Sequence, residues 1–219
     1  MSNKEIVQRT KAFVKKSLEH AEGGHDWSHI LRVYRSSLRI AEGEKVDHLV
    51  VSLGALLHDI ADSKFHNGDE EIGPAKAKEF LETLPVQDNA KDHVVNIIRH
   101  ISYKNSLDKA EAGFNSRELE VVRDADRLDA IGAIGIARTF NYGGFRNRPL
   151  YDPENPPKPG LSKEEYKKNN SPTINHFYEK LLLLKDQMHT PTAKKLAEER
   201  HQFMLEYLRQ FYREWDGDI

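Results

Sequence analysis

Three stretches of this 219-residue chain set histidines and acids directly against apolar residues. Leu56-Leu57 runs into His58-Asp59, with Asp62 close behind; Asp124, Asp126 and Asp129 share the run Arg-Asp-Ala-Asp-Arg-Leu-Asp; and His29 immediately precedes Ile30-Leu31. An ionised group facing an apolar interior is costly unless it pairs or coordinates. Asp62 lies at i+4 from His58 and i+3 from Asp59, so on one helix the three flank a common pocket. Two imidazoles and two carboxylates drawn from three apolar helices balance one another around a divalent cation. Mixed nitrogen and oxygen donors suit Mn²⁺, Fe²⁺, Co²⁺, Ni²⁺ or Zn²⁺, and Mg²⁺ less well. Residue types and spacing alone leave the choice of ligands open.

Composition narrows the chemistry further. The chain has no cysteine, which excludes a thiolate metal site, a cysteine nucleophile and a disulfide scaffold, and fits a reducing compartment. With 11 histidines, imidazole and carboxylate are the strong transition-metal ligands on offer. Lys plus Arg (33) nearly balances Asp plus Glu (35), so the overall field favours neither a nucleic-acid polymer nor an anionic membrane. The amino end alternates charge with single apolar residues, unlike a signal peptide, and the longest apolar stretch, Leu49 to Leu57, is too short to span a bilayer. These features predict a soluble, cytoplasmic protein.

The elements that must position these residues read as helical nearly throughout. Phe13, Val14 and Leu18 mark a helix over about residues 3 to 20, closed by Gly23-Gly24. A second, about 26 to 42, has Asp26 as its cap and ends at Gly43. The third, about 47 to 62, is apolar on nearly every face and so is buried on most sides. Pro74 opens a fourth that reaches Leu84, and Val94, Val95, Ile98 and Ile101 mark a fifth over about 88 to 102. Ser116 begins a long helix to about Phe140, Ala-, Ile- and Gly-rich from Leu128 onward, which reads as the central helix. Five of the nine prolines fall in Pro149 to Pro159, so about 142 to 171 reads as a long loop or flap. Helices over about 173 to 188 and 191 to 214 complete an all-α single domain, 1–219, of about eight helices with one Pro-rich insertion.

With the elements in place, the motifs resemble a known family. His29 in His-Ile-Leu-Arg-Val, then Leu-Leu-His58-Asp59-Ile, then Asp-Ala-Asp126-Arg-Leu-Asp match the ordered His…His-Asp…Asp pattern of the HD-domain metal-dependent phosphohydrolase superfamily. One bacterial subgroup is more similar still. It shares His-Asp-x-x-His-x-x-Arg-Val (His25 to Val33), His-Asp-Ile-x-Asp-x-Lys (His58 to Lys64), Ile-Ser-aromatic-Lys (Ile101 to Lys104) and Asn-His-Phe-Tyr-Glu-Lys-Leu-Leu (Asn175 to Leu182). The match runs across nearly the whole chain, with the signature region at about 25–130.

The resemblance implies the HD helical fold and one divalent metal, Mn²⁺ foremost, held by His29, His58, Asp59 and Asp126. It implies hydrolysis of a phosphoanhydride in nucleoside triphosphates. Such a cation polarises a phosphoryl oxygen and lowers the pKa of water bound to it. Asp62 takes the acid/base role by its place three residues after Asp59. Lys64 and Lys104 are candidates for the phosphate chain, with Arg127, His176 and Lys180 weaker ones. A second metal does not fit, since the further histidines of two-metal relatives have no counterpart here.

Other readings use the same residues. A nucleoside monophosphatase or a phosphodiesterase would share the metal ligands, and a non-catalytic nucleotide-binding module would be expected to lose some of them. Asp124, Asp126 and Asp129 have a second reading as surface acids paired with Arg123 and Arg127, which suits Asp129 better than Asp126. His25-Asp26 reads as a helix cap, not a second metal pair. Phe203, Met204, Leu208 and Phe211 belong to packing, in the core or in a homodimer.

Overall fold

The computed structural model describes residues 1–19, 26–61, 71–101, 114–158, 160 and 170–218, and the fold is all-α. Among the described residues there are nine α-helices and one 3-10 helix, and no strand. The chain gathers into two compact units, Met1–Asp126 and Arg127–Ile219.

The first unit is built around a short apolar helix. It contains α1 (Asn3–Ser17), α2 (Trp27–Ala41), α3 (His48–Leu57), α4 (Ile72–Glu82), α5 (Asp88–His100) and most of α6 (Arg117–Asp129). α3 packs against α1, α2 and α5, and every residue from Val50 to Leu57 is buried. Gly54 allows the close approach: a Cβ there would stand 3.3 Å from Ile97 Cγ2. Asp47 caps α3 by accepting from the Leu49 and Val50 N–H groups at 2.8 and 3.2 Å. Asp26 caps α2 as its position predicts, accepting from the His29 N–H at 2.9 Å.

α3 stops earlier than its apolar pattern predicts, at Leu57 instead of about residue 62. The His58 ring supplies the reason, since its Nδ1 lies 2.9 Å from the Ala55 carbonyl oxygen, which a continuing helix would give to the Asp59 N–H. The Ile60 N–H then closes a tighter turn onto Leu57 O at 3.3 Å.

The long helix expected over 116–140 is two helices. α6 ends at Asp129 and α7 (Gly132–Phe145) begins after an extended Ile131. Gly132 adopts φ +74°, a conformation natural to glycine, and this turns the chain out of the α6 axis. Ser116 does open α6, its hydroxyl accepting from the Leu119 N–H at 3.1 Å. Nor is α7 buried on every face, because Ile134, Tyr142 and Phe145 are exposed.

The second unit holds α7, α8 (Asn175–Glu179), a 3-10 helix (Leu181–Gln187) and α9 (Pro191–Asp216). The single helix expected over 173–188 is therefore a five-residue α-helix followed by a 3-10 segment. α9 packs on α7 and on the 3-10 helix, with Ala193, Ala197, Met204 and Leu208 buried. Phe203 faces outward, about half exposed, so it is not a core residue. The Pro-rich stretch starts after α7, at Arg146, and Pro149 O and Leu150 O accept from the Thr173 and Ile174 N–H groups at 2.8 and 3.0 Å. No helix among the described residues is long and apolar enough to cross a membrane.

Candidate metal centre

Three of the first unit's elements deliver one donor each to a common point. His29 is in the first turn of α2, His58 follows the buried α3, and Asp126 lies one turn before the end of α6. His29 Nε2 is 3.5 Å from Asp126 Oδ1, and His58 Nε2 is 3.8 Å from the same oxygen. The two imidazole rings meet edge to face, with centroids 5.3 Å apart. All three donor atoms lie within 4.8 Å of one another, and both histidine-to-carboxylate separations are within the roughly 4 Å that two ligands at about 2 Å from one cation can span.

Proton placement supports the same role. With His58 Nδ1 at 2.9 Å from the Ala55 carbonyl, the ring proton sits on Nδ1 and the Nε2 lone pair faces Asp126. Burial holds the His58 pKa below the usual imidazole value; the charges of Asp126 and Asp59 oppose that shift, and His29 adds to it. His58 is thus neutral near pH 7, with the Nε2 lone pair unprotonated. Both imidazoles are buried, whereas the Asp126 side chain is 41% exposed, so the cluster has one open side.

The other sequence candidates fall in different places. Asp59 is partly exposed beside His58 and acts on that ring through its charge, but it is outside the converging trio. Asp62, Lys64 and Lys104 lie outside the described residues, as does His25. Arg127 belongs to the second unit, where its buried guanidinium donates to the Gln187 carbonyl and lies 3.4 Å from His189 Nδ1. His176 and Lys180 are also in the second unit; burial, with the charges of Lys180 and Arg148, pushes His176 down to about 3.

Two acids that the sequence places on the surface are buried. Asp124 is fully buried, and Asp129 is buried with its Oδ2 2.6 Å from Arg138 Nη1. Asp129 pairs with Arg138 of α7, across the break at Gly132. The partner of His58 Nδ1 is a main-chain carbonyl, which leaves no signature in residue types and so escapes a reading of the sequence.

Known proteins are similar to this chain in both sequence and fold. The HD domain family model matches residues 26–131. The YpgQ protein of Bacillus subtilis is 36% identical over 211 residues, covering 96% of this chain and 94% of that one. The chain belongs to the HD superfamily of metal-dependent phosphohydrolases. Among solved structures, an HD-superfamily hydrolase from Bacillus thuringiensis is 42% identical, with a TM-score of 0.79 and coverage of 98% of this chain and 99% of that one. B. subtilis YpgQ in complex with ADP superposes with a TM-score of 0.76 at 35% identity, covering 98% and 97% of the two chains. The matched segment contains His29, His58 and Asp126.

Proposed function

We propose that this HD hydrolase cleaves a phosphoanhydride of nucleoside triphosphates, releasing pyrophosphate, at a single divalent metal held by His29, His58, Asp59 and Asp126. The observation that carries the reading is the convergence of two imidazoles and one carboxylate, with His58 Nε2 left for a metal by the Nδ1 contact to Ala55. The nucleotide part draws support from the relative YpgQ, whose structure holds ADP. When bound, the cation, Mn²⁺ foremost, supplies the positive charge that polarises a phosphoryl oxygen and acidifies water.

The chain's own residues then divide the remaining work. As ligands, His58 and His29 present neutral nitrogens, so the net negative charge of the site comes from Asp59 and Asp126. Asp62 takes the proton from the water that attacks the α-phosphorus, or returns one to the departing pyrophosphate oxygen as the bond between the α- and β-phosphates breaks. Lys64 and Lys104 hold the phosphate chain as compact point charges. The near-zero net charge of the protein leaves this local charge to draw a polyphosphate. In this reading the whole chain is one cytoplasmic phosphohydrolase domain acting on free nucleotides.

The test is a screen of nucleoside tri-, di- and monophosphates against Mn²⁺, Co²⁺, Ni²⁺, Zn²⁺ and Mg²⁺ with identification of products. Pyrophosphate and a monophosphate from a triphosphate is the expected result. Orthophosphate from a monophosphate, with triphosphates untouched, would replace the reading by a nucleotidase on the same residues.

A further inference from the structure

The last turn of an α-helix has carbonyls without intrahelical partners, and helix ends fray for that reason. Asp126 sits in such a turn, so fraying there would swing a metal ligand. Three carbonyls at the end of α6 are instead engaged. Arg127 O accepts from the Ala130 N–H at 3.1 Å, and Leu128 O from the Ile131 N–H at 3.3 Å. Leu128 O also accepts from Arg200 Nη1 of α9, and Asp129 O accepts from Arg138 Nη1 of α7 at 3.2 Å. The same Arg138 nitrogen binds Asp129 Oδ2 at 2.6 Å, so one guanidinium grips both the main chain and the side chain of that residue. Ala130 O packs against Gly135, where a Cβ would collide with it.

A helix that only needed to stop would be served by a left-handed glycine beyond its end, as α9 is at Gly217. α6 uses two arginines from two later helices as well, and buries Asp129 at 4% exposure beneath one of them. The Arg200 stem lies across Gly132, with its Cγ 2.9 Å from where a Cβ would stand, so the turn and the clamp fit together. The Asp126 side chain, by contrast, is 41% exposed and has two imidazoles as its ionic neighbours among the described residues. Its direction is therefore set by the main chain beneath it.

We propose that Arg138 and Arg200 are positioning residues for Asp126, clamping the last turn of α6 so that its carboxylate is aimed at the metal before the metal arrives. The inference rests on the metal-centre reading above. Ordering a ligand in advance removes an entropic cost from binding, so loosening the clamp lowers metal affinity while every ligand stays in place.

The experiment measures Mn²⁺ affinity by calorimetry and the visible absorption of the Co²⁺-loaded protein for wild type, Arg200→Met, Arg200→Lys, Arg138→Ala and His58→Ala. Arg200→Met is expected to bind Mn²⁺ about tenfold more weakly, within the range seen when supports of metal ligands are removed, and to shift the Co²⁺ bands. Arg200→Lys, which can still donate to Leu128 O, is expected to recover most of both. Unchanged affinity and an unchanged Co²⁺ spectrum in folded Arg200→Met would overturn the proposal. If Arg200→Met does not fold, Arg138→Ala decides in its place: it removes the nitrogen that holds both Asp129 O and Asp129 Oδ2, and wild-type values would again overturn the proposal. Failure of the metal centre itself looks different, because wild type would then bind no Mn²⁺ or His58→Ala would bind it equally well.

Discussion

Asp126 and Asp129 lie one turn apart on α6, yet Asp129 is buried against Arg138 at 2.6 Å, whereas Asp126 is 41% exposed and meets His29 and His58 at 3.5 and 3.8 Å. The difference is in what neutralises the charge. A guanidinium carries a permanent charge and satisfies a carboxylate within the protein, so Asp129 has a structural partner. An imidazole kept neutral by burial, as His58 is, offers a lone pair and no charge, so it does not neutralise the carboxylate of Asp126 as an arginine would. Two acids of one sequence run thus have different surroundings, according to whether arginine or histidine faces them.

The sharpest way to break the comparison is to remove a donor from the histidine side. His58→Ala or Asp59→Ala should abolish tight Mn²⁺ binding and lower nucleotide hydrolysis by about three orders of magnitude, as the loss of several kcal/mol of charge stabilisation requires. Steady-state kinetics with product identification checks this, and full activity in either variant would remove the residue from the site. Next in size is the arginine side. Arg138→Ala strands a buried carboxylate and should cost about 3 kcal/mol in urea unfolding of the metal-free protein. Asp126→Asn, at a site with an open side, should change metal-free stability by no more than about 0.5 kcal/mol. With Mn²⁺ at a hundred times its Kd, wild type should gain about 2.7 kcal/mol and Asp126→Asn almost nothing.

A third histidine sharpens the contrast from the second unit. His176 is held at about 3 by burial and by the charges of Lys180 and Arg148, so the unfolded chain takes up its proton first as pH falls. Its contribution to stability is complete above about pH 6.5 and is lost between there and about pH 3, at up to about 1.4 kcal/mol per pH unit. His176→Asn should flatten the decline of unfolding free energy with acid over that window, and an unaltered slope would show that this imidazole is not the group responsible. A last effect concerns the turn that lets arginine reach α6. Gly132→Ala forces a side chain into φ +74° and against Arg200, and should cost about 1–2 kcal/mol by thermal or urea unfolding.

Much of the site is legible in the order of the residues. The ordered His29, His58-Asp59 and Asp126 motifs stand out because charged residues on apolar helices need a compensating partner, and three of those four donors converge. Asp26 as a cap and Ser116 as the opening of α6 are equally readable, because both are local hydrogen-bonding choices. The arginine partners of α6 are not: Arg138 and Arg200 are nine and 72 residues from the carbonyls they bind, beyond the reach of any local pattern. Apolar periodicity also carries the third helix and the long helix too far. It registers which side chains are buried, and both helices end through hydrogen bonds and one glycine dihedral.

Amino-acid order alone determined the all-α class, the absence of thiolate chemistry and the donor types available for a metal, since each follows from composition or from spacing within one or two helical turns. Tertiary structure decided which acid meets histidine and which meets arginine. Those partners come from separate helices, and two carboxylates three residues apart on one helix point to different neighbours once the chain has turned at Gly132.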